Sequence, residues 1–190
     1  MPTTPTTDTI ATDAITTDAI TTDERADLLE ALGQHRFFLR FTVRDLTDGQ
    51  AALSPSASQL CLGGLIKHVA EVESSWVDFI VGGPEAMAHA SDKWSESDAE
   101  SWQAKFGMQP GETLAGVLEH YEKVARRTDE VVATVANLGD SHPLPEAPWF
   151  QKGARWSARR VVLHIIAETA QHAGHADIIR ETLDGSKTMG

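Results

Sequence analysis

A chain of 190 residues with 41% hydrophobic content is long enough for one ordinary folded domain and too short for two comfortable ones. The formal net charge of −12 argues against binding a phosphate backbone, which needs clustered Lys and Arg to displace counterions, so nucleic acid is not an expected partner. One cysteine, Cys61, rules out an intramolecular disulfide framework and a cysteine-rich metal site, and no apolar run approaches the roughly 20 residues of a membrane span.

The first 22 residues repeat a Thr-Asp-Ala-Ile-Thr theme without a single aromatic. Such sequence buries too little apolar surface to offset its ordering entropy, so residues 1–22 are expected to be a disordered tail. They show neither the basic n-region nor the apolar h-region of a secretory signal, and with the lone cysteine this makes a cytoplasmic location the expectation.

Thr21 and Glu24 have capping-box spacing, and Leu28, Leu32, Leu39, Val43 and Leu46 then recur at helical intervals, which predicts a first helix. Residues 47–57, with Asp48-Gly49 and Ser54-Pro55, break the pattern and lead to a second helix over about 58–80, ended by Gly82-Gly83-Pro84. Residues 85–109 form a long acidic connection, with a short helix expected over 98–105 and with Trp94, Trp102 and Phe106 placed to roof the helices. Pro110 suits the first position of a third helix, whose stripe from Leu114 through Val117, Tyr121, Val124, Thr128 and Val131 to Val135 is the clearest periodicity in the chain. Residues 139–155 read as another long loop, after which Ser157 is placed to cap a fourth helix that ends near Asp184-Gly185. Four amphipathic helices predict an all-α four-helix bundle over 23–185, with 186–190 as a tail.

The fourth helix carries the chemistry. At about 100° per residue, Val161, Ile165, Glu168, His172, Ala176, Ile179 and Leu183 share one stripe, so a carboxylate and an imidazole one turn apart both face the core. A buried carboxylate needs compensation, and a divalent cation shared with imidazole supplies it. Two groups on one helix do not complete such a site, since a catalytic zinc usually takes three protein ligands and keeps one position open. His68, on the second helix's stripe with Cys61, Leu65, Val72 and Phe79, is the candidate third. On spacing alone, hydrogen-bonded core residues are the commoner explanation.

His68, the run from Glu168 through His172, His175, Asp177 and Arg180 to Glu181, Pro148-Trp149-Phe150 and Gly82-Gly83 together resemble the DinB-like metalloprotein superfamily. More narrowly the chain resembles its actinobacterial branch of mycothiol-dependent maleylpyruvate isomerases and thiol S-transferases, over roughly residues 23–185. The resemblance implies an up-up-down-down bundle with long connections, often homodimeric. It also implies a metal, zinc or nickel (Zn2+ or Ni2+), held by His68, Glu168 and His172. His175, one turn past His172, is open between a fourth ligand, a supporting group and a merely polar residue, as is His164, one turn before Glu168. The isomerases carry an additional C-terminal domain that residues 1–190 do not contain.

Two neutral imidazoles and one carboxylate around a divalent ion leave one net positive charge, which a thiolate neutralises. A coordinated thiol or water is acidified, so a nucleophile is available at neutral pH without a reactive protein cysteine. The resemblance therefore implies an enzyme that activates mycothiol or a similar small thiol for S-transfer or thiol-assisted isomerisation of an electrophile. A hydrolase using metal-bound hydroxide and a non-catalytic metal-binding module are the alternatives. Cys61 reads as a buried inert thiol, and Trp149, Trp156, Arg155 and Arg159 as substrate contacts or as packing and surface residues.

Overall fold

Each long helix begins at a side chain able to take up one of its first free amides. The structure is a computed structural model that describes residues 23–87 and 106–188; the expected tail 1–22, the expected helix 98–105, Trp94 and Trp102 lie outside the described residues. Helix α1 (Glu24–Phe41) is capped by Asp23, which accepts from the Arg25 amide at 3.0 Å, so the N-cap is Asp23 rather than Thr21. Val43 and Leu46, expected on this helix, follow it in a turn. The link expected after α1 holds a one-turn helix, α2 (Asp48–Ala51), with a capping box formed by Thr47 and Gln50.

Helix α3 (Leu62–Gly82) starts four residues later than residue 58, because Cys61 is its N-cap, with Sγ accepting from the Gly64 amide at 3.4 Å. It ends where Gly83 takes φ 75°, and Pro84 opens a 3-10 turn, Pro84–Ala86. Helix α4 (Leu114–Thr134) is capped by Thr113, so Pro110 is not at its first position but in the turn before it. Helix α5 (Ala158–Asp184) starts at the Ser157 cap and stops at Gly185 in the left-handed conformation, as the sequence predicts. The loop before it contains an unexpected antiparallel pair, β1 (Ser141–Pro143) and β2 (Arg155–Ser157), in which His142 faces Trp156.

Two apolar clusters fill the bundle from its two ends. At one end Leu28 and Leu32 of α1 meet Trp76 and Ile80 of α3, Val132 of α4 and Val161 and Ile165 of α5. At the other, Leu39 of α1 meets Leu62 and Leu65 of α3, Leu114 and Val117 of α4 and Ala176 and Ile179 of α5. The starts of α1 and α5 therefore share an end with the finishes of α3 and α4, and the helices run up, down, down, up. The up-up-down-down order is corrected on this point. Val43 and Ala51 keep the first connection at one end of the bundle, whereas α3 ends and α4 begins at opposite ends. The all-α bundle itself is as expected. No described helix is long and apolar enough to cross a membrane.

Helix α5 packs against α1 and α3, and α4 against α3 and more loosely α1, which leaves α1 and α3 on a diagonal. Across that diagonal Arg36, 3% exposed, pairs with Glu73, 0% exposed. Arg36 donates through Nε to Glu73 Oε2 at 3.2 Å and through a terminal nitrogen to Asp129 at 2.7 Å. Tyr121 is buried in the same layer, where desolvation above all, and then the Glu73 charge, pushes its phenol well above its ordinary pKa. Residues 186–188 fold back on α5, with the Thr188 amide donating to Asp177 at 2.7 Å.

A buried pair that loses one partner leaves an uncompensated charge. Arg36→Ala is expected to lower unfolding free energy in urea by about 3–5 kcal/mol, and Arg36→Met combined with Glu73→Leu to recover most of that loss. A loss below about 1 kcal/mol for Arg36→Ala contradicts this account of the central layer.

Candidate metal centre

Because α3 and α5 are neighbours, the inward stripes predicted for them face each other. His68 is 7% exposed, and the side chains of Glu168 and His172 are 28% and 12% exposed. One ligand atom from each of the three lies within 4.8 Å of the others. Glu168 Oε2 is 3.4 Å from His172 Nε2, and the His68 ring meets the His172 ring edge-on with centroids 4.9 Å apart. The three candidates named from sequence are thus brought together at one point between two helices.

The two histidines left open take different places. His175 Nδ1 lies 3.4 Å from His172 Nδ1, on the far side of that ring from Glu168. Its place is behind His172, within hydrogen-bonding reach of the ring nitrogen remote from Glu168. His164 Nε2 is 3.9 Å from the other carboxylate oxygen of Glu168. Its ring sits edge-on to Trp76 and Trp156 at 5.0 and 5.1 Å, and those two indoles stack on each other at 4.8 Å. The β1–β2 pair delivers Trp156 to this position, which the sequence reading of a plain loop missed.

Other residues considered from sequence are engaged elsewhere. Arg155 is held by Ser141 across the β pair, and Arg159 by Glu24 at the start of α1. Trp149 is 66% exposed. Cys61 is buried and occupied as the cap of α3. Phe106 was foreseen only as part of a roof; its ring lies against His68 with centroids 4.2 Å apart.

Electrostatics single out Glu168. The His172 hydrogen bond holds its carboxyl below the ordinary value, against the opposing effect of burial, with further help from the charges His164, His172 and His68 can carry. The groups that act on it are imidazoles, which when neutral compensate a carboxylate poorly. Two imidazole nitrogens and a carboxylate oxygen form a donor set suited to zinc or another divalent first-row metal. The residues present therefore fit a divalent cation.

The sequence profile of the mycothiol-S-transferase family matches residues 27–185. The chain belongs to the mycothiol-S-transferase family. That is the DinB-like assignment expected from the motifs on α3 and α5, now resting on nearly the whole bundle. The fold is also that of a conserved protein from Enterococcus faecalis of known crystal structure, with a TM-score of 0.62 and 12% identity over 87% of this chain and 100% of that one. At that identity the likeness speaks for the fold alone. Among curated proteins none matches the chain significantly.

In this mycothiol-S-transferase family member, burial lowers the His164 pKa below its ordinary 6.5, with Glu168 opposing and Arg160 adding to the shift. Neutral His164 is favoured by folding, so its contribution to stability is complete above 6.5 and is lost as pH falls through the lowered value. Glu168 behaves alike from its ordinary 4.5 downward. Metal-free protein is therefore expected to lose stability in two stages on acidification, and His164→Gln to remove the first. Urea midpoints measured against pH with a chelator present check this, and parallel curves for wild type and His164→Gln between 6.5 and 4.5 contradict it.

Proposed function

We propose that this chain is a metal-dependent S-transferase in which His68, Glu168 and His172 hold a divalent cation, zinc or nickel, and mycothiol is the thiol cosubstrate. The observation that carries the reading is the approach of three ligand atoms to within 4.8 Å in a chain of the mycothiol-S-transferase family. When bound, the cation supplies acidification of a coordinated thiol at neutral pH, which the free thiol lacks. The protein's own thiol does not serve, because Cys61 is buried and spent on capping α3. A small external thiol is then the sulfur source. Its proton passes to solvent, a carbon–sulfur bond forms to the electrophile, and either a leaving group departs with its electron pair or, where the thiolate has added to a double bond, the carbon–sulfur bond breaks again and the double bond re-forms in the other geometry.

The chain's residues prepare this step. His175 holds the remote nitrogen of His172, which turns Nε2 toward Glu168. Trp76, Trp156 and Phe106 wall the neighbourhood with apolar rings, lowering the local dielectric and strengthening each charge interaction inside. The functional unit in this reading is residues 23–185.

Protein purified without chelator is expected to carry close to one divalent ion per chain and His172→Ala at least tenfold less, as metal analysis reads directly. Wild type is further expected to consume thiol only when an electrophile is supplied. Equal metal in wild type and His172→Ala contradicts the ligand set, and turnover of an ester or amide without thiol contradicts S-transfer in favour of hydrolysis.

A further inference from the structure

The first turn of α3 carries Gly63 and Gly64 side by side, and glycine inside a helix is about 1 kcal/mol less favourable than alanine. A pair of them at a helix start needs a reason, and backbone crowding supplies it. A Cβ on Gly64 would stand 1.7 Å from the carbonyl oxygen of Phe106, 2.3 Å from its carbonyl carbon and 2.9 Å from the Gly107 nitrogen. A Cβ on Gly63 would stand 2.3 Å from the Met108 sulfur. The side chain of Met108 can swing aside, but the main chain at Gly64 cannot. The two glycines are thus a notch in the helix surface into which the backbone of residues 106–108 lies flat.

Polar contacts hold that segment in the notch. Cys61 Sγ lies 3.6 Å from the Phe106 carbonyl, and Lys67 Nζ lies 3.4 Å from the Gly107 carbonyl. Lys67 also pairs with Glu112 at 2.7 Å, and Glu112 accepts from the Gln109 amide at 2.6 Å. Gly64 is one helical turn before His68, so chain crossing the helix at Gly64 brings its next ring onto the imidazole. The Phe106 and His68 rings are 4.2 Å apart and inclined by 32°.

From this we infer that the Gly63–Gly64 notch and Phe106 form a positioning device for His68. The phenyl ring covers one face of the imidazole, restricts the otherwise broad rotation about its last torsion, and excludes water from that face. His68 then reaches the centre with its donor nitrogen already aimed toward Glu168 and His172, and the ordering cost is met by folding rather than by cation binding. Phe106 acts through His68, and Gly64 acts through Phe106. The inference rests on the reading of His68, Glu168 and His172 as ligands.

Titration with Co2+, followed by the visible absorption of the bound ion, separates the two ideas. Wild type is expected to bind and His172→Ala not to bind. Gly64→Ala and Phe106→Ala are each expected to lose roughly tenfold in Co2+ affinity and to shift the absorption band, with helical circular dichroism unchanged. Phe106→Tyr, which keeps a ring on His68, is expected to bind like wild type. The double variant Gly64→Ala/Phe106→Ala is expected to bind no worse than Phe106→Ala alone, because both changes remove the same contact. Wild-type affinity and spectrum in Gly64→Ala and Phe106→Ala overturn the positioning device while leaving the ligand set standing. Additive losses in the double variant also overturn it. Wild type that binds no Co2+ overturns the ligand set and this inference with it. If Gly64→Ala fails to fold, Phe106→Ala, whose notch is intact, decides alone.

Discussion

A carboxylate on the inward face of a helix, surrounded by imidazoles, is the constraint around which the rest of this protein is arranged. Glu168 is three-quarters shielded and has His172, His164 and His68 as the groups acting on it. It is half-buried, and the rings around it, when neutral, offer only hydrogen bonds. A divalent cation resolves that imbalance for the carboxylate and two of the rings at once. The bundle is suited to supply it, since α3 and α5 are packed neighbours with inward stripes that meet where His68, Glu168 and His172 project.

The rigidity needed at such a point comes from a second polar layer that does no chemistry of its own. Arg36 and Glu73 join the two helices of a diagonal that would otherwise touch only through side-chain packing. Glu73 is on α3, a little more than one turn beyond His68, so the ion pair fixes the rotation of the helix that presents the imidazole. Further along the same side, where α3 ends and α5 begins, the β1–β2 pair and the stack of Trp76 on Trp156 fix the start of α5, upstream of Glu168. Both helices that meet at the centre are therefore anchored on the side where α3 ends and α5 begins.

The parts of this arrangement that depend on spacing within one helix could be read from the sequence. An i, i+4 pair on an apolar stripe, a serine before α5 and a glycine after it are local signals, and each lies where the stripe and cap rules put it. Parts that depend on two distant segments could not. The pairing of Glu73 was not legible, because its partner Arg36 is on another helix and has no fixed spacing from it. The helix directions turn on which connection joins opposite ends of the bundle, and periodicity carries nothing about that. Strands of three residues are too short to show alternation, which hid the β pair. Phe106 was legible in principle, since two adjacent glycines opening a helix mark a close approach by other chain. The sequence does not say which chain approaches.

The central claim is that three side chains from two helices share one cation. Anomalous diffraction at the metal edge, from crystals of protein purified without chelator, tests it most directly. The account predicts a single strong peak bounded by His68, Glu168 and His172, with a coordination position not filled by protein. A peak ligated by other residues, or none between those three in crystals that diffract well, contradicts it.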